Sequence, residues 1–140
     1  LQVIHQVPPT NTVIDEDGIG GGVVDNFPRN TVKGFIANSS PINPKPGEYY
    51  ENLKAQCAYI VADKVKKKEV YEENNNPVDR ERLIEDLEQI KEKNTDSQAK
   101  RGIMSKEQVK QILQRSPDDG DTWIMRGLLE VSKRSGLIVT

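Results

Sequence analysis

Hydrophobic and polar positions along this chain fall into blocks of different period, and the blocks divide it into elements. Residues Thr12 to Asp15 (TVID) form a β-branched apolar run ending in acids, Asp15 to Asp17, followed at once by GIGGG and VVDNF. That pattern predicts a strand, a tight glycine turn and a short helix. Val32 to Asn38 (VKGFIAN) predicts a second buried strand, and SSPINPKPG after it a loop, because its prolines and Gly47 suit neither element. Strand, helix and strand within about 30 residues favour a parallel pair with a crossover helix. From Glu48 to about Val65, residues Tyr50, Leu53, Cys57, Ile60, Val61 and Val65 recur at helical spacing and predict a long amphipathic helix. The NNNP tract interrupts the chain, and Asp79 is then the expected cap of a helix with the stripe Leu83, Ile84, Leu87 and Ile90. A polar linker, KNTDSQAKRG, leads to a short strand at Ile103 and Met104. Ser105 with Gln108 then forms a capping box for a helix ending near Leu113. The last helix carries the clearest start signal: Ser116 as N-cap, Pro117 at the first helical position, and Asp118 and Asp119 where the helix dipole favours negative charge. It should run through WIMRGLLEVSKR.

Composition narrows the class. A length of 140 residues allows one domain or a large piece of one, and 34% hydrophobic residues with 10 glycines predict long solvated stretches. Twenty Lys and Arg against 22 Asp and Glu, a net charge of -2, exclude a histone-like polycation and a strongly acidic tail. Any nucleic-acid contact must therefore come from a local basic face. The single cysteine, Cys57, cannot form an internal disulfide, and the single histidine, His5, leaves no Cys/His zinc cluster. This usage fits a reducing, cytosolic setting. No apolar run approaches the roughly 18 residues of a membrane span, and the start LQVIHQVPP lacks the features of a signal peptide, so a soluble chain is expected. An opening Leu1 in place of an initiator Met suggests an engineered piece, a processed product or a fragment cut from something longer.

The GIGGG turn invites a phosphate-binding reading, because glycines let backbone N–H groups approach an anion. The match is poor: Val23 stands where the dinucleotide motif has its third glycine, and Asn38, Ser39 and Ser40 stand where it has an acid. Asp15, Glu16 and Asp17, directly before the turn, would repel a phosphate unless a cation intervened. A carboxylate at a strand's C-terminal end suits a metal ligand better, since hard divalent cations take one or two carboxylates plus water and substrate phosphates. Asp15 fits that role; its bland counterpart is a solvated turn acid, and Asp118, Asp119 and Asp121 are equally readable as ordinary first-turn charges. Asp118, Asp121, Met125 and Leu128 share one helix face, with Asp119 pointing elsewhere. Cys57 is expected in the core, and Lys54, Lys64, Lys66, Lys67 and Lys68 are either a solvated helix face or a polyanion contact.

Two segments carry a resemblance. VIDEDGIGGGVVDNF resembles the glycine-rich strand-to-helix motif of phage terminase large subunits, and QRSPDDGDTWIMR resembles their closing motif, commonly RSPD-x-x-D-A followed by apolar residues. Between them, YENLKAQCAYIVADKV and ERLIEDLEQIK look like the corresponding helices, so the resemblance covers most of residues 10–130 in order. It implies an α/β fold, a ribonuclease-H-like mixed sheet with flanking helices, of which residues 1–140 form the C-terminal part with the first strands missing. It implies a metal-dependent endonuclease that cuts double-stranded DNA during packaging, with Mg²⁺ or Mn²⁺ held by Asp15 and Asp121 and with Asp118 as an auxiliary acid. Two cations about 3.5–4 Å apart would activate water and stabilise the leaving oxygen. The lysine set would contact DNA. The implied partners are a terminase ATPase domain, a small subunit and a portal, in the cytoplasm of a bacterial host. The closing pattern departs from the family at Gly120 and Thr122, and the acid-free stretch Leu1 to Ile14 offers no substitute for the family's further metal-binding Asp on an upstream strand. An uncovered edge on the Val13/Ile14 strand predicts dimerisation or strand exchange involving Leu1 to Val7. Removing Asp121 should relieve repulsion with Asp15 and leave stability unchanged or slightly improved. The rivals are a non-catalytic interaction or structural module and a nucleotide-phosphate-binding module built on GIGGG.

Overall fold

The computed structural model describes residues 8–17, 20–93 and 100–134. Strand β1 (Val13–Asp15) and strand β2 (Lys33–Phe35) pair in parallel, with Ile14 opposite Gly34, and the five-residue helix α1 (Gly20–Val24) lies on the crossover between them. This is the strand, helix and strand order the sequence pattern predicts, with β2 shorter than Val32 to Asn38. Ladder bonds from the Lys33 N–H to the Thr12 carbonyl (3.0 Å) and from the Glu16 N–H to the Phe35 carbonyl (2.9 Å) close the two ends.

Helix α2 (Leu53–Lys66) starts where the Asn52 side chain accepts the Ala55 N–H at 2.9 Å, five residues later than Glu48. Tyr50 consequently sits outside the helix, buried, in a parallel bridge with Arg101, and Val65 at the far end is exposed. Helix α3 (Pro77–Glu88) is capped by Asn76, which accepts the Val78 N–H at 3.0 Å, with Pro77 at its first position. Asp79 is not the cap; its carboxylate accepts from the Asn74 amide. Pro77 has no N–H to satisfy and its fixed φ suits the first turn, which places the start there. The stripe on α3 also differs: Ile84 is exposed, and Asp86, three residues after Leu83, is buried in its stead. The expected strand at Ile103 reduces to an isolated antiparallel bridge with Glu92. Helix α4 (Lys106–Leu113) has the full Ser105/Gln108 capping box.

Helix α5 (Asp118–Arg134) starts differently from its sequence signal. The Pro117 carbonyl accepts the Asp121 N–H at 2.8 Å, so Pro117 is the boundary residue, and the Ser116 hydroxyl donates to Asp118 at 2.6 Å and caps nothing. The Asp86 carboxylate, reaching over from α3, accepts the Gly120 N–H at 3.0 Å and supplies the acceptor that the boundary proline lacks.

The core joins Phe35 of β2, Leu53, Cys57, Ala58 and Ile60 of α2, and Ile124, Leu128 and Val131 of α5. Helices α2 and α5 pack so closely that a Cβ added at Gly127 would lie 2.8 Å from the Cys57 carbonyl oxygen and 3.0 Å from its Cα. Burial pushes the Cys57 thiol up to about 12. Buried and held as the thiol at neutral pH, Cys57 should be modified by a thiol reagent only when the chain unfolds. Modification rates that stay equal with and without denaturant would contradict this packing. His5 and Leu1 to Val7 lie outside the described residues, as do Gly18 and Ile19.

Candidate metal centre

Asp15 occupies the C-terminal end of β1, where its carboxylate accepts the Asp17 N–H at 3.0 Å. Asp17 in turn accepts the N–H of Ala37, two residues past β2, at 3.0 Å. The acids after β1 therefore brace the turn and tie it to the neighbouring strand. Asp121 projects from the first turn of α5 toward two lysines on different elements. Its Oδ1 lies 2.7 Å from Lys54 Nζ of α2 and its Oδ2 lies 2.6 Å from Lys106 Nζ of α4. The Asp121 side chain keeps 17% of its exposure and Lys54 keeps 18%, so charge compensation here operates partly out of water. Asp118 is far more open, at 70%, and lies 4.0 Å from Lys106.

Lys106 joins these acids electrostatically. Partial burial works against its charge, but the hydrogen bond and field of Asp121, followed by the fields of Asp118 and Asp15, outweigh it and raise the ammonium above the usual lysine range. A group whose folded pKa is raised contributes its full stabilisation below the unfolded pKa and loses it as pH climbs through the folded one. The stability difference between the wild type and Lys106→Met should thus be flat through neutral pH and shrink only above about pH 10.4, the ordinary lysine value. Denaturant melts of both proteins across the alkaline range check this, and a difference that collapses near neutrality would contradict it.

Asp121 brings Lys54 and Lys106 together, Asp118 stands at the edge of Lys106, and Asp15 adds to the field there, while the rest of the lysine set is split off. Lys64 pairs with Glu69 (3.2 Å) and Glu130 (3.6 Å), and Lys67 with Asp63 (2.7 Å). Lys66 and Lys68 are exposed at the end of α2. Acids interleaved with these lysines prevent one continuous basic face. Sequence reading missed Lys106, whose only signal was its place directly after a capping-box serine. It also missed Asp86, whose signal was an acid in phase with Leu83.

No protein-family model matches the chain, and no curated protein does. Among solved structures, the nuclease domain of the large terminase subunit gp2 of bacterial virus Sf6 superposes with a TM-score of 0.62 at 23% identity, covering 82% of this chain and 63% of that one. The chain shares the fold of the matching part of a terminase nuclease domain. A mutant of the same domain with manganese gives 0.62 and 23%, covering 82% of this chain and 64% of that one. A mutant with calcium gives 0.61 and 24%, with 82% and 63% covered. The chain spans less than two thirds of the length of these terminase nuclease domains. Within that span the motif resemblance and the backbone superposition point to one fold.

Hard divalent cations take one or two carboxylates and complete their shell with water and phosphate oxygens, so the donor chemistry of Asp15 and Asp121 fits such an ion. Among the described residues, no group of three or more His, Cys, Asp and Glu side chains is placed to hold a metal. No helix of the described residues is long and apolar enough to cross a membrane.

Proposed function

We propose that this chain is the C-terminal part of a ribonuclease-H-like nuclease domain of a phage terminase large subunit, a metal-dependent endonuclease acting on double-stranded DNA. The observation that carries the reading is Asp121, a largely buried carboxylate whose two oxygens each face an ammonium, in a chain that shares this fold. Asp15 and Asp121 would hold Mg²⁺ or Mn²⁺, with Asp118 as an outer acid. When bound, the ion would polarise a phosphate oxygen and lower the pKa of water. The chain's own residues do the rest. Asp17 fixes the turn that carries Asp15. Lys54 and Lys106 neutralise Asp121, and beside a bound cation their ammonium groups would be the ones to meet phosphate. The terminase ATPase domain, small subunit and portal are the expected partners, in a bacterial host cell.

Two carboxylates alone bind such ions weakly, so the chain by itself should show weak Mn²⁺ binding and little plasmid nicking. An electron paramagnetic resonance titration of free Mn²⁺ tests the assignment: binding should vanish in Asp15→Ala. Binding unchanged in both Asp15→Ala and Asp121→Asn would overturn it. Among the described residues β1 is paired on one side only, and parallel-ladder alternation turns the Val13 and Asp15 backbone groups toward its other edge. Self-association through that edge is the corresponding proposal. Light scattering from micromolar to millimolar concentration should show dimers, and a monomer throughout would refute it.

A further inference from the structure

We infer that Asp86 is a positioning residue for Asp121, fixing the register at which α5 enters the acidic site; this rests on the nuclease reading above. Asp86 is 0% exposed. A carboxylate is tolerated there only when its oxygens are compensated. One oxygen takes the Arg115 guanidinium, which also bonds Glu85 at 2.8 Å and so clamps the α4–α5 connection onto α3. The second oxygen accepts the Gly120 N–H at 3.0 Å.

Gly120 immediately precedes Asp121, so the lever between the pinned N–H and the functional carboxylate is one residue long. The contact has little slack, because a Cβ on Gly120 would lie 2.9 Å from the Asp86 Cβ. The targets of Asp121, Lys54 and Lys106, stand on α2 and α4. Their geometry with Asp121 therefore depends on where the first turn of α5 sits relative to those helices, and Asp86 sets that position from α3. A displacement on the order of 1 Å at a reacting group can lower a rate about 10²-fold.

Asp86→Ala removes both bonds. Asp86→Asn keeps a carbonyl oxygen for the Gly120 N–H and gives up the charge opposite Arg115. Leu83→Ala, at a buried position on the same helix, lowers stability without touching Gly120. Two readouts on the whole chain decide the matter at a temperature where all variants are folded. The first is Mn²⁺ affinity by electron paramagnetic resonance, and the second is the NMR hydrogen-bond coupling between the Lys54 and Lys106 Nζ atoms and the Asp121 carboxylate. Asp86→Ala should weaken Mn²⁺ binding about tenfold or more and erase the couplings, whereas Asp86→Asn and Leu83→Ala should retain both. Equal losses in Leu83→Ala, or couplings that persist in Asp86→Ala, would overturn the inference. If the wild type binds no Mn²⁺ but Asp86→Ala still erases the couplings, the positioning role stands and the nuclease reading falls.

Discussion

In the complete nuclease proposed above, Asp121→Asn should lower metal-dependent cleavage by roughly 10²–10³-fold, and it should also destabilise the fold by about 1.5–3 kcal/mol. The second effect reverses what the sequence pattern implies, namely relief of repulsion with Asp15. Asp121 is held at 2.7 Å by Lys54 and at 2.6 Å by Lys106. Removing its charge leaves two ammonium groups facing a neutral amide, one of them on a side chain only 18% exposed. Hydrogen bonds to charged groups are the strong ones, and a half-buried cation without its partner retains the full desolvation penalty. Asp118→Asn provides the contrast. Its carboxylate is 70% exposed and 4.0 Å from Lys106, so its stability change should stay within about 0.5 kcal/mol, with cleavage partly retained. Cleavage rates and denaturant midpoints for the two variants check both halves. A dead Asp118→Asn beside an active Asp121→Asn would exchange their roles.

Gly127→Val should unfold or nearly unfold the chain, and Gly127→Ala should destabilise it by about 1–3 kcal/mol. An alanine inside a helix gains about 1 kcal/mol over glycine in intrinsic propensity, so the sign is set by the neighbours. Those neighbours are the Cys57 carbonyl oxygen at 2.8 Å, its Cβ at 2.9 Å and its Cα at 3.0 Å from the added methyl. They belong mostly to backbone inside α2, and backbone cannot swing aside as a long side chain can. Relief requires the helices to separate, which loosens Leu53, Ile124, Leu128 and Val131 together. Valine adds two further methyl groups to the same crowded seam. Thermal melts should show a lower midpoint for Gly127→Ala, and a stabilised Gly127→Ala would mean that α2 and α5 sit further apart than this.

Local rules made much of the fold legible. The parallel pair, the crossover, the Ser105/Gln108 box and the Cys57 stripe all follow from periodicity or capping within a few residues. Boundaries failed where a non-local partner decided them. Tyr50 keeps helical phase with Leu53, yet Asn52 has the better capping side chain and Arg101 pairs with Tyr50. Ser116 looks like a cap until Asp86 supplies the acceptor from α3. In the acidic site, Asp15 and Asp121 were visible as acids at element ends. Lys106 was hidden because a lysine in a first helical turn has no periodic or propensity signal; only the tertiary placement of α4 beside α5 gives it a role. The lysine run suggested one basic face because the sequence does not display Glu69, Asp63 and Glu130 folding back onto it.

The two three-residue strands have a consequence for how opening motions are distributed. A pair that short does not stand alone in water and depends on the helices that cover it. Helix α5, with Val131 and Leu128 among the most buried side chains, shares the fate of the core. Amide hydrogen exchange should therefore be slowest in α2 and α5, reporting global unfolding, and faster in β1 and α1, reporting smaller openings. Asp15 and Asp121 thus sit on opposite sides of a protection gradient. A cation held by both in the proposed site would bind only the closed arrangement, and its free energy would appear mainly as added protection at the amides of β1.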